Sequence, residues 1–260
     1  MKETVIGVIG GTGGMGGWFA SLLRGDGYTV YCAGRRSGMR PEDMARVCQV
    51  LVISVPIGVT CEVIARVGPF MSPDSLLTDL TSLKEAPVRE MLRASQCEVI
   101  GCHPLFGPEI TGLSGHNVIL CPGRGDLWFS WFKSIFEKHQ AVITVTTPEE
   151  HDRMMSIVQV MNHLHTMHLG MILGQENMTC DKLLPWSTPV LKKKMEMLRK
   201  VFQNQPGMYA EMLVNNPHLE RICELYQETF SLLEKTLARK DADALCDLLH
   251  KQTKKIWPKK

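Results

Sequence analysis

Val5-Ile6-Gly7-Val8-Ile9 runs directly into Gly10-Gly11-Thr12-Gly13-Gly14-Met15-Gly16, and this stretch decides the fold. An aliphatic run of strand length ends in a glycine turn, and residues 18–24 then resume with helical amphipathic spacing. The turn fits G-x-G-x-x-G at the first strand–helix junction. There, residues without side chains let backbone N–H groups approach a pyrophosphate at the helix N-terminus. Gly11, Thr12, Gly13, Gly14, Met15 and Gly16 are therefore the expected dinucleotide-binding positions. The end of the second strand selects the cofactor. An acidic residue there accepts hydrogen bonds from the ribose of NAD, whereas this chain reads Cys32-Ala33-Gly34-Arg35-Arg36-Ser37. Arg35, Arg36 and Ser37 suit a 2′-phosphate through charge-assisted hydrogen bonds, so NADP is expected over NAD.

Outward from the turn, short β-rich runs at 4–9, 28–32, 50–55, 76–79, 98–101, 117–121 and 141–145 alternate with helical stretches such as 18–24, 59–67 and 84–92. Alternation of this kind builds βαβ units and a mostly parallel sheet covered on both faces. Beyond Pro148 helical periodicity continues almost to the end, broken near Pro185, Pro189, Pro206 and Pro217. Thr147-Pro148-Glu149-Glu150 supplies a cap, a first-turn proline and acids at the positive end of the helix dipole. The expected architecture is a doubly wound Rossmann-type α/β domain over 1–148, followed by an all-helical domain over 149–260.

Composition narrows the partners. The 260 residues are 44% hydrophobic and 22% charged, with a net charge of +2, which leaves no basic footprint for nucleic acid. No apolar run approaches the roughly 18 residues of a membrane span, and no signal-peptide core is seen at the start. The 9 cysteines are scattered without a CxxC pair, which points to a reducing cytoplasm.

Three segments carry candidate chemistry. Asp79-Leu80-Thr81-Ser82-Leu83-Lys84 ends one strand on the carboxyl edge, where open α/β sheets bind ligands. Gly101-Cys102-His103-Pro104-Leu105-Phe106-Gly107-Pro108-Glu109 follows the next strand on that edge, as a loop stiffened by Pro and expected to present His103 to a nicotinamide. His151-Asp152 opens a helix that carries Gln159, Asn162 and His163. His163, His165 and His168 do not form an i, i+4 pair, so no metal is expected.

Together with VIGGTGGMGGWFASLL, LVISVPIGVT and PGMYAEML, these segments resemble the prephenate dehydrogenase family of tyrosine biosynthesis. The resemblance implies oxidative decarboxylation of prephenate to 4-hydroxyphenylpyruvate with hydride transfer to a nicotinamide cofactor. It implies His103 as the base and Ser82 as its hydrogen-bonding partner, with His163 and Gln159 at the substrate. Relatives hold a substrate carboxylate with an arginine after the Ser-x-Pro turn. At that spacing this chain has Lys200, beside Arg199, and Lys192 is a second candidate cation. Lysine keeps the charge and loses the bidentate fork. Arogenate and 4-amino-4-deoxyprephenate are alternative substrates. A catalytically inactive NADP-binding regulatory protein is the alternative outside the enzymes. The resemblance further implies a homodimer through the helical half, where most of the 16 methionines would fill irregular helix–helix gaps. The length leaves no room for a fused mutase or regulatory domain, so a monofunctional enzyme is expected.

Overall fold

A computed structural model describes residues 4–34 and 39–258. Seven strands form one sheet in the order β2-β1-β3-β4-β5-β6-β7: Val5–Ile9, Thr29–Ala33, Val50–Ile53, Leu76–Asp79, Glu98–Pro104, Asn117–Arg124 and Val142–Val145 for β1 to β7. β1 to β5 pair parallel, β6 runs antiparallel to β5, and β7 is parallel to β6. The helices are α1 (Gly14–Gly25), α2 (Pro41–Val47), α3 (Ile57–Val67), α4 (Glu85–Ala94) and α5 (Leu127–Lys138) among the strands. After them come α6 (Pro148–Met155), α7 (Asn162–Gln175), α8 (Cys180–Leu183), α9 (Pro189–Arg199), α10 (Pro206–Val214), α11 (Leu219–Leu237) and α12 (Ala242–Ile256).

The period of two along each strand sorts the aliphatic residues onto two faces. Ile6, Val8, Val50, Val52, Leu76, Ile100 and Leu120 pack with Phe19 and Leu23 of α1 and Phe132 and Phe136 of α5. On the opposite face Ile9, Leu51, Ile53, Leu77 and Val99 pack with Met44 of α2, Ile64 of α3 and Met91 of α4. Both faces are covered, as parallel sheets require, and the strands read as continuous apolar runs for that reason.

His103 differs from its expected setting. β5 continues past Gly101 to Pro104 because β6 pairs against it, with Cys102 opposite Leu120, His103 opposite Ile119 and Pro104 opposite Val118. His103 therefore belongs to a strand, and the loop begins after it.

The helical segment starts as its capping residues dictate, with the Thr147 side chain accepting from the Glu150 N–H at 3.2 Å and Pro148 at the first turn. Compactness divides the chain into Met1–Pro217, which holds the sheet and the helices up to α10, and His218–Lys260, the pair α11 and α12. No helix among the described residues is long and apolar enough to cross a membrane. All nine cysteines are unpaired.

Candidate active site

In the order 2-1-3, chain direction across the sheet reverses between β1 and β3, and a crevice opens outside their carboxyl ends. A cavity of about 980 Å³ lies there, lined by Ile9, Gly10, Thr12 and Gly13 after β1, Ala33 and Gly34 after β2, and Ser54, Val55 and Pro56 after β3. Its floor needs glycine. Gly10 has φ of +85°, and a Cβ on it would lie 2.0 Å from the Ser54 carbonyl oxygen. A Cβ on Gly16 would lie 2.4 Å from the Gly10 oxygen. A cradle this close to bare backbone fits a dinucleotide pyrophosphate.

The expected positions divide around this cradle. Thr12 and Gly13 line the cavity, whereas the Met15 side chain packs on the core. Gly14 abuts Pro108, whose Cγ would be 3.1 Å from an added Cβ, so the loop after His103 meets the glycine turn. Arg35, Arg36 and Ser37 lie outside the described residues. Two cations unforeseen in the sequence line the same cavity: Arg40 and Arg66, whose guanidiniums meet Glu42 at 3.7 and 3.0 Å. The signal was faint, since Glu42 reads as an ordinary first-turn acid of α2.

The second part of the site is built on β4 and β5. Asp79 ends β4 fully buried; the Thr81 N–H donates to its Oδ2 at 3.1 Å, and the buried Lys84 ammonium pairs with the same oxygen. The backbone N–H groups of Lys84 and Glu85, at the start of α4, donate to Asp152 Oδ1 at 2.8 Å and Oδ2 at 3.0 Å. Asp152 Oδ1 also lies 2.7 Å from His151 Nδ1, and His151 Nε2 lies 2.9 Å from His103 Nδ1. Nε2 of His103 faces the Gln159 amide nitrogen at 3.5 Å.

Ser82 is half-buried and is not a hydrogen-bonding partner of His103, whose ring nitrogens are met by His151 and Gln159. Gln159 reaches His103 because the helix widens into a π-turn over Ser156–Met161, a distortion invisible to a 3.6-residue reading. One turn on, His163 is buried edge-on against Tyr209, with ring centroids 4.7 Å apart. Its Nδ1 and Gln159 Oε1 are buried without a hydrogen-bond partner. Such atoms are costly to bury unless something completes them, which suits a polar ligand.

Burial holds the His103 imidazole well below its ordinary range, and the neighbouring His151 and Lys84 push in the same direction. Burial also lowers His151, against the opposing pull of its hydrogen bond to Asp152, and burial lowers His163. Around neutral pH these rings are neutral, and His103 has a lone pair available for a proton. Lys200 meets Glu109 at 3.4 Å with both side chains largely in solvent, while Arg199 and Lys192 are exposed on α9 and do not reach His103.

Known proteins resemble this chain in sequence and fold. The T-protein of Enterobacter agglomerans is 32% identical over 231 residues, covering 87% of this chain and 62% of that protein. A probable arogenate/prephenate dehydrogenase of Methanocaldococcus jannaschii is 30% identical over 275 residues, covering 98% and 62%. The T-protein of Haemophilus influenzae is 29% identical and is covered over 65% of its length, so the chain spans somewhat under two thirds of these relatives. The prephenate dehydrogenase of Aquifex aeolicus, solved with hydroxyphenyl propionate and NAD+, superposes with a TM-score of 0.75 at 21% identity over 98% of both chains. The Synechocystis arogenate dehydrogenase superposes at 0.74 with 18% identity over 96% of this chain and 97% of that one. Family models described as the prephenate dehydrogenase nucleotide-binding domain and dimerization domain match residues 36–145, from beyond β2 through β7, and 147–251, the helices that follow, and the chain belongs to the prephenate dehydrogenase family.

Proposed function

We propose that this chain oxidatively decarboxylates prephenate to 4-hydroxyphenylpyruvate with NADP as the preferred cofactor, His103 serving as the base. The observation that carries the reading is the buried His103 at the carboxyl edge of the sheet, its Nδ1 met by His151 and its following loop packed on the glycine turn. A nicotinamide dinucleotide held by Thr12, Gly13 and the glycine cradle supplies the hydride acceptor. His103 Nε2 takes the proton of the ring hydroxyl while a carbonyl forms at that carbon and its hydrogen leaves as hydride. As the ring carboxylate departs as CO2, its electrons aromatise the ring, and His103 returns the proton to the phenolate oxygen.

His163 and Gln159 offer their unpartnered buried atoms to the polar groups of the substrate, and Lys200, with Arg199 and Lys192 nearby in sequence, supplies positive charge for its carboxylates. Ser82, at the same edge, contacts the substrate hydroxyl. The protein mainly orients its reactants, because aromatisation drives the chemistry. Arg35, Arg36 and Ser37 support the choice of NADP by composition. The working division is a cofactor domain over 1–148 and a helical substrate and dimer domain over 149–260, in a cytoplasmic homodimer.

The test is steady-state reduction of NADP and of NAD with prephenate, arogenate and 4-amino-4-deoxyprephenate in parallel. The reading expects the highest kcat/KM with prephenate and NADP. A higher value with arogenate or the amino analogue reassigns the substrate, a clear preference for NAD reassigns the cofactor, and cofactor binding without turnover on any of the three supports the inactive regulatory alternative.

A further inference from the structure

We propose that His151 and Asp152 are positioning residues that set the tautomer of His103 and thereby decide which of its nitrogens is the base. The inference rests on the reading of His103 as the base, and it follows from counting donors. Asp152 is surrounded by donors: the N–H groups of Lys84 and Glu85 and the Nδ1 side of His151 all point at its two oxygens. A carboxylate only accepts, so His151 Nδ1 carries a hydrogen. A neutral imidazole has one N–H, which leaves His151 Nε2 as a lone pair. That lone pair faces His103 Nδ1 at 2.9 Å, so His103 Nδ1 must donate. His103 Nε2 is then the free lone pair, on the side where the Gln159 amide N–H group approaches at 3.5 Å and where a substrate hydroxyl would be placed.

The order is anchored at its far end by backbone. His151 and Asp152 are both almost wholly buried, and the carboxylate sits on the first N–H groups of α4, which favour negative charge. When His103 takes a proton, its Nδ1–H donates more strongly to His151, which in turn leans on Asp152. The charged and titratable groups facing the pair are Asp79 and Lys84 from the end of β4 and the start of α4, and Asp152 from α6. Asp152 is thus the anion joined to the His103 imidazolium by an unbroken line of hydrogen bonds.

Selective ¹⁵N-histidine labelling of the full chain and long-range ¹H–¹⁵N correlation read the tautomers directly, without any substrate. The expected result is a protonated Nδ1 and a bare Nε2 in both His103 and His151; an Nε2–H tautomer of His103 overturns the proposal. Turnover gives a second readout. Asp152→Asn is expected to lower kcat about ten- to a hundredfold with KM for prephenate changed less than about threefold. Its pH profile should keep the shape but shift its acid limb to lower pH, because the anion that stabilises the imidazolium is gone. His151→Gln, whose carboxamide oxygen can accept from His103 Nδ1, should recover at least about tenfold over His151→Leu. Wild-type kcat and pH profile in both Asp152→Asn and His151→Leu would overturn the proposal. The tautomer measurement stands apart from the substrate assay, so failure of prephenate as substrate and failure of the positioning role are separately visible.

Discussion

His103 combines three properties that suit a general base: a lone pair at neutral pH, a partner that orients the ring, and a following loop whose Pro108 packs on the glycine turn. Removing the ring while keeping a side chain of similar polarity, His103→Asn, is expected to lower kcat by about 10²- to 10⁴-fold with a modest change in KM, read from initial rates. Near-normal turnover would remove His103 from the mechanism. The same burial sets a pH dependence of stability. His103, His151 and His163 all bind protons less readily in the folded chain than at the ordinary imidazole value of 6.5. Below that value the unfolded chain takes up more protons, so their contribution is complete above it and is lost as pH falls. Melting temperature should therefore drop between about pH 7 and pH 5, and His103→Asn should flatten that slope; an unchanged slope would contradict the assignment. At this scale the sequence was informative about types and poor about partners. HPLFGP singled out His103, yet nothing in the local residues showed that its ring would meet His151, 48 positions away, and not Ser82.

Among the elements, the turn from β4 into α4 organises the site. Asp79, Thr81 and Lys84 knot it from within, and the first N–H groups of α4 hold Asp152 from outside. Lys84→Met leaves the Asp79 carboxylate buried without its cation, and a loss of about 3–5 kcal/mol in urea unfolding is expected. A loss under about 1 kcal/mol would mean that the pair is dispensable. The glycine turn makes a complementary prediction. Gly16→Ala forces a methyl group against the Gly10 oxygen, so cofactor affinity should fall by at least about tenfold in a fluorescence titration, with a stability cost of about 1–3 kcal/mol. Unaltered affinity would place the pyrophosphate elsewhere. Strand positions were legible because residues buried on both faces leave continuous apolar runs. The three-residue extension of β5 was not, since it depends on pairing with β6. Nor were the π-turns at Ser156–Met161 and Lys200–Asn204, the first of which carries Gln159 and the second of which shifts the helical phase from Lys200 onward.

For the whole molecule, the sheet is sealed on both faces while the helices beyond it are not. Within the 14 residues of α7 only His163 is fully buried, and Met171 and Ile172 are exposed; Trp186 and Val190 are 84% and 67% exposed. A helix apolar on several sides calls for a further partner, and the match of residues 147–251 to a dimerization domain favours a second copy of this chain. Light scattering at micromolar concentration should give about twice 29.2 kDa, and a mass equal to one chain would contradict the dimer. The division between a sheet half and a helical half was readable from the change of period at Pro148; the exposure of the helical half was not, because apolar spacing alone does not say which chain covers it. The most direct test of the central claim is a single-turnover mixing of prephenate with the NADP-loaded chain, wild type beside His103→Asn, following reduced cofactor and released CO2 together. Equal amounts of both products are expected from the wild type, with formation slowed by orders of magnitude in the variant. Cofactor bound but never reduced, or the same rate in both proteins, would contradict it.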